Sequence, residues 1–249
     1  AGLAKKSYDF DSNNGFRFLW KEGENKVKDL NLLSNYADKT KTRNSLSHEI
    51  GKMMGSPYHF CHPVRMHLNG SFHGVMHLME DGDDRMLERN GLDPEGAFYK
   101  IYAETMSSGP EKKTRLTEPN TDINTFTTSL DPGLSLDARR TYGYDNINIA
   151  AAVNYLVLRQ FNSDGDHGHK NYYLYRDTNG TGEWQPIVWD VDLTQGHNWN
   201  GDNNSGGYFN DTLCYQNALN RHSANNRLYN LLLESPEFQQ MFARRMRPV

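Results

Sequence analysis

Asp166 and Asn171 stand in the run DGDHGHKN (164–171), and Asp190 and Asp192 follow in WDVD (189–192). All four carry oxygen donors. A hard divalent cation such as Mg²⁺ takes a few carboxylate or carboxamide oxygens and fills the rest of its shell with phosphate oxygens and water. Asn171 and Asp190 suit that use, with Asp192 as a second acid two residues on along the same strand face, and Asp166 is left free as a base. The chemistry such a set serves is metal-assisted phosphoryl transfer.

Those residues meet only if the chain between them turns back. NYYLYR (171–176) and EWQPIVWDVD (183–192) are strand-like runs joined by DTNGTG, in which Asn179-Gly180 offers the positive φ angles of a tight turn. Antiparallel pairing sets the start of the first strand beside the end of the second, so Asn171 and the loop holding Asp166 face Asp190 and Asp192. The loop needs an anchor on its other side. A helix over 145–161, with Ile149, Val153, Leu156 and Val157 on one face and Asp145 as its cap, ends at Asn162 just before the motif.

The N-terminal part reads as strands, helix, strands. KSYDF (6–10) and FRFLW (16–20) flank the turn-prone SNNG, which predicts a hairpin. Leu46, Ile50, Met53 and Met54 recur at helical spacing after the capping residue Asp38, which predicts a helix over 40–54 stopped by Gly55 and Pro57. A second hairpin is predicted over 64–79 about the turn NGS, with His67 and His77 facing outward. The segment 107–140, rich in Ser, Thr, Pro and acids, reads as surface loop or weak helix. RRMR (244–247), after the apolar face Leu231, Leu232, Phe238, Met241 and Phe242, reads as a helix C-terminus favoured by its dipole.

Composition sets the bounds. At 249 residues with 36% apolar content, the chain is long enough for one large domain or two small lobes with a buried core. A net charge of -4 speaks against nucleic acid or an anionic membrane as the main partner. No apolar run reaches the roughly 18 residues of a membrane span. Cys61 and Cys214 fit one bridge or two free thiols equally well, and neither belongs to a CxxC pair. Asn69, Asn179, Asn203 and Asn210 each open an N-x-S/T triplet, a weak pointer to a secreted or cell-surface setting, and the first ten residues hold no apolar signal-peptide core.

The gap Asp166-x-x-x-x-Asn171 matches the D-x-x-x-x-N of a protein-kinase catalytic loop, followed by two strands and a second metal-binding Asp. With KKSYDFDS (5–12), LNLLSNYADKTKTRNSLSHEIGKMMG (30–55), VRMHLNGSFHGVMHLMED (64–81), WQPIVWDVDLT (184–194) and SPEFQQMFARRMRP (235–248) in that order, the chain resembles the spore-coat CotH family of secretory, atypical kinases. The resemblance spans nearly the whole chain, and only the WDVD and D-x-x-x-x-N boxes are individually specific. It implies an α+β, kinase-like fold of two lobes, with a small, incomplete β-rich lobe over 1–82 and a larger mixed lobe over 83–249. It also implies ATP with Mg²⁺ or Mn²⁺, and phosphorylation of Ser or Thr on secreted, coat or cell-surface proteins.

Carried over by residue, the resemblance gives Asp166 the acceptor hydroxyl, Asn171 and Asp190 the metal, and Asp192 a second place as ligand. Lys6 takes the ATP phosphates, with Lys5 the alternative one position away, and Glu49 is the candidate ion-pair partner of that lysine. The chain departs from the kinase pattern in lacking G-x-G-x-x-G before Lys6 and in placing His167 and His169 inside the loop, where either could contact phosphate or fill space. Asp164, Gly165 and Gly168 are explained by turn chemistry alone. An EF-hand reading of the loop fails at its sixth and twelfth positions, and a zinc site on His167 and His169 lacks a third ligand. Two rivals keep the same residues: a coat protein that has retained the fold without the chemistry, and a metal-dependent phosphoesterase.

Overall fold

Residues 5–11, 17–103, 105–164, 166–195 and 225–247 are described by the structure, a computed structural model. Cys214, Gly165, Asn203 and Asn210 lie outside the described residues, and so does any pairing of Cys61, which is buried.

Strands β1 (Tyr8–Phe10), β2 (Leu30–Leu33), β3 (Cys61–Leu68) and β4 (Ser71–Glu80) form one antiparallel sheet in the order β1-β2-β4-β3. The hairpin read over 64–79 is β3–β4, turned by Asn69 and Gly70 at φ 50° and 81°. The hairpin read between 6–10 and 16–20 is not formed. Tyr8 pairs with Leu32 instead, and Phe18 makes an isolated bridge to Val27. An isolated two-stranded ribbon is marginal, whereas β2 already lies against β4 and offers β1 a wider sheet.

Helix α1 (Arg43–Met53) links β2 to β3. Its position matches the expectation but its face does not, since Leu46 is 48% and Met53 85% exposed. The buried side carries Arg43, Asn44, Ser47, His48 and Gly51, while Ile50 and Met54 touch the main core only partly buried. Asp38 takes the backbone N–H of Thr42 and Arg43 at 2.9 and 3.0 Å, so it satisfies the helix start from outside the first turn.

The short α2 (Asp84–Arg89) leads to a second antiparallel sheet, made of β5 (Ala97–Ile101), β6 (Glu111–Lys112), β7 (Tyr172–Arg176) and β8 (Trp184–Val188) in the order β6-β5-β7-β8. Both faces of β7 are buried, and alternate residues serve two clusters. Tyr172 and Leu174 face the main core, while Tyr173 and Tyr175 face Met86, Leu87, Phe98 and Ile187. The β7–β8 turn takes its positive φ at Gly182, at 76°, rather than at Asn179-Gly180, and the Asp177 carboxylate holds it by accepting from Thr181 N–H at 2.8 Å.

The main core is helical on its far side. Helices α3 (Thr121–Ser129), α4 (Leu136–Asn146), α5 (Ile149–Phe161), α6 (Arg227–Glu234) and α7 (Pro236–Met246) enclose it. Two expectations are corrected there. The segment read as surface loop or weak helix does hold helices but is not confined to the surface: Ile123, Phe126 and Leu130 are fully buried, because three apolar residues at helical spacing suffice to make one face. The helix read over 145–161 is two, broken where Ile147 turns extended to bridge Trp184, and Asn148 rather than Asp145 caps the second by accepting from Ala151 N–H at 3.0 Å.

Candidate active site

The β7–β8 rung Tyr172↔Val188 sets Asn171 beside Trp189 and Asp190. Asn171 and Asp190 both have positive φ, at 64° and 52°, a region that non-glycine residues occupy at a cost of order 1–3 kcal/mol where surrounding contacts hold them. Much of that hold comes from Arg159 near the end of α5. Its guanidinium pairs with Asp164 and donates to the Asn171 carbonyl and, at 3.4 Å, to the Trp189 carbonyl. Asp164 also accepts from Asp166 N–H at 3.0 Å. Asp164 is therefore a buried ion-pair partner as well as a turn residue.

Asp166 is fixed on both carboxylate oxygens. Asn171 Nδ2 donates to Oδ2 at 2.9 Å, and His169 Nε2 lies 3.1 Å from Oδ1. Burial alone would raise this carboxyl, but the bonds from His169 and Asn171 and the charge of Lys170 outweigh it and hold the group below the usual carboxylate range. His169 is raised in return, chiefly by the bond to Asp166. His167 is wholly buried, with Nδ1 2.9 Å from the Tyr229 hydroxyl. One histidine thus orients Asp166, and the other pins the loop to α6.

Asp190 and Asp192 carry the opposite electrostatics. Burial, then the charge of Asp166, raises Asp190. Burial, then Asp190, Asp38, Asp164 and Asp166, pushes Asp192 up to about 7. Excess negative charge on these half-buried oxygen donors is what a hard cation would relieve. Among the described residues no three His, Cys, Asp or Glu side chains form a ready-made cage. Mg²⁺ does not require one, because it commonly uses one or two carboxylates and substrate phosphates. The donor set therefore fits that ion in its chemistry.

Of the two candidate lysines, Lys5 is half-buried and Lys6 exposed. The Lys5 ammonium donates to the Val75 carbonyl, and a Cβ on Gly74 would stand 3.1 Å from its Nζ. The charge of Lys5 is felt at Lys41, which also senses Asp38 and Asp192. Glu49 is exposed on α1 and is brought to neither lysine, because the side of that helix turned inward carries Ser47 and His48 instead. Ser47 Oγ meets Thr194 Oγ1, just beyond WDVD, at 3.0 Å.

Two residues were missed by sequence reasoning. Arg159 had a signal, a charge at the i+3 and i+4 positions from Leu156 and Tyr155 on an apolar helix face. Lys100 had none, because β5 was not foreseen. Its ammonium lies 4.5 Å from the Trp189 ring centroid, lowered by burial and raised in part by Asp81, Glu111 and Asp190.

An acid bonded to an asparagine five residues on, at the mouth of a hairpin whose far end carries more acids, is the layout expected of a kinase catalytic loop. The profile of the CotH kinase protein family matches residues 2–249, and the chain belongs to that family. Its α+β architecture with two antiparallel sheets is the kinase-like, two-lobed fold. Among curated proteins none matches the chain. Among solved structures the chain is similar to one from the Shewanella oneidensis MR-1 toxin–antitoxin complex of HipA, HipB and operator DNA, at 13% identity and a TM-score of 0.37. That similarity covers 99% of this chain and 58% of the other.

Proposed function

We propose that this chain transfers the γ-phosphoryl group of ATP to a Ser or Thr hydroxyl of a protein, with Mg²⁺ or Mn²⁺. The observation that carries the reading is the doubly held Asp166 carboxylate, bonded to Asn171 at 2.9 Å and close enough to Asp190 for its charge to raise that carboxyl. Asp166 stays ionised at neutral pH, so it orients the acceptor hydroxyl and takes its proton as the bond to phosphorus forms. Asn171 Oδ1, Asp190 and, second in rank, Asp192 hold the cation, and Lys5 rather than Lys6 reaches the phosphates. When bound, the cation neutralises charge on the phosphate oxygens.

The test is transfer of labelled phosphate from ATP to a Ser/Thr-containing protein, with nucleotide-dependent thermal shift alongside. Asp166→Asn is expected to lower transfer about 10²- to 10⁴-fold while keeping metal-dependent ATP binding. Asp190→Asn is expected to remove the metal dependence itself. Transfer unchanged in both variants sinks the reading. Metal-dependent ATP binding with no transfer in the wild type favours the coat-protein alternative. Hydrolysis of phosphate esters without ATP stabilisation favours the phosphoesterase.

A secreted or cell-surface setting belongs to the same proposal. Asn69 and Asn179 support it, as exposed positions on the two hairpin turns. A glycosidase-sensitive mass shift after passage through a secretory pathway tests it.

A further inference from the structure

Away from the acids, two cations, Lys52 and Arg89, gather beside the edge strand β8. A cavity of about 390 Å³ opens there between the chain following α1, the end of α2, α5 and β8. It is lined by Lys52 and Arg89 and by no carboxylate, and none of Lys5, Asp166, Asn171, Asp190 or Asp192 reaches it. A neighbouring cavity of about 520 Å³ shares Gly55, Ala151 and Asn154 with it and adds Arg245, again without an acid.

The cations are built in. Arg89 has a side chain only 3% exposed, pairs with Glu80 and donates to the Tyr58 carbonyl, yet its Nη1 is buried without an acceptor. Tyr58 carries the Arg89 guanidinium 4.4 Å and the Lys52 ammonium 5.3 Å from its ring centroid. Among the described residues no carboxylate pairs with Lys52. Asn154 braces the wall, donating to Met54 O at 3.1 Å and Ser56 Oγ at 2.7 Å and accepting from Arg245 Nε at 2.9 Å. Leu92, Ile187 and Val188 give the cavity an apolar side.

We propose that this cavity binds a small organic anion, an apolar body bearing a carboxylate or phosphate group. Its volume falls in the range of small-ligand pockets, roughly 300–1,000 Å³. Lys52, exposed and paired with no carboxylate among the described residues, supplies the charge complement, and Arg89 adds the cationic half of its pair with Glu80 to the wall. An extended peptide is a poorer occupant, because Pro186 has no N–H to offer on the open edge of β8.

The probes are 1-naphthoate, 1-naphthyl phosphate and the neutral 1-naphthalenemethanol, titrated by calorimetry against the full chain. Both anions are expected to bind at millimolar concentration or below, with the neutral probe about tenfold weaker. Lys52→Glu, at an exposed position, and Ala151→Leu, which fills the shared wall, are each expected to weaken the anions about tenfold. Asp190→Asn is expected to leave their binding unchanged, which separates this cavity from the candidate active site. The carboxylate outbinding the phosphate identifies an organic acid as the ligand class, and the reverse order identifies a phosphate ester. No binding to the wild type, equal binding of the neutral probe, or wild-type affinity in both cavity variants overturns the proposal.

Discussion

Ser47 Oγ lies 3.0 Å from Thr194 Oγ1, and through this contact α1 is tied to the segment that carries Asp190 and Asp192. Both residues are buried, Thr194 completely. The hydroxyls join the lobe of the first sheet to the acids without any charge. Ser47→Ala and Thr194→Val should each cost about 0.5–1.5 kcal/mol, with the double variant losing less than the sum. Urea unfolding of the four proteins measures the coupling, and full additivity would show that the contact contributes nothing.

Lys5 and Lys6 separate by exposure. Lys5→Ala is expected to weaken metal-dependent ATP binding about tenfold and Lys6→Ala to leave it within twofold, read by calorimetry. The opposite ranking would return the role to Lys6.

Arg159 and Asp164 are a buried pair with side-chain exposures of 1% and 0%. Removing one partner strands the other charge, so Arg159→Met should destabilise the fold by about 3–5 kcal/mol. Arg159→Met with Asp164→Leu should recover part of that loss in denaturant melts. A double variant less stable than the single one would contradict this account.

Burial and then Arg89 push His59 down to about 3, and burial and then His59 hold His48 well below 6.5. Both rings are neutral in the fold, whereas the unfolded chain protonates them near pH 6.5. From about 6.5 down to about 3 for His59, the unfolded state binds more protons and stability falls as pH falls, by up to about 1.4 kcal/mol per unit; His48 contributes in the same direction below about 6.5. His59→Phe should flatten this loss between pH 6.5 and 5.5, measured by denaturant midpoints against the wild type. An unchanged slope would mean that the ring is already charged in the fold.

The meeting of the 164–171 loop with the far end of the hairpin was legible because it depends on local chain geometry. A hairpin with a known register returns its far end to its near end, whichever residue supplies the positive φ, and here Gly182 supplies it in place of Asn179-Gly180. Long-range packing was not legible. The partner of β1 is decided by β2 lying against β4, and the inward side of α1 by what stands opposite it. Leu46 and Met53 therefore misled: the side of α1 turned inward is the polar one, where Thr194 meets Ser47. Glu49 failed for the same reason. Lys100 stayed hidden in a strand that pairs with β7 across more than seventy residues of sequence.

Arg159 serves the scaffold and the site at once, since one guanidinium ties the end of α5 to the loop, to the start of β7 and to Trp189. Asp166 is less embedded, with a side chain 20% exposed whose bonds run to Asn171 and His169 nearby in the chain. Substitution at Asp166 is therefore expected to leave the fold in place, whereas substitution at Arg159 removes the pairing that holds the loop, the start of β7 and Trp189 together. Under the proposed function, an intact Arg159 reports a retained fold, and an intact Asp166 reports retained chemistry as well.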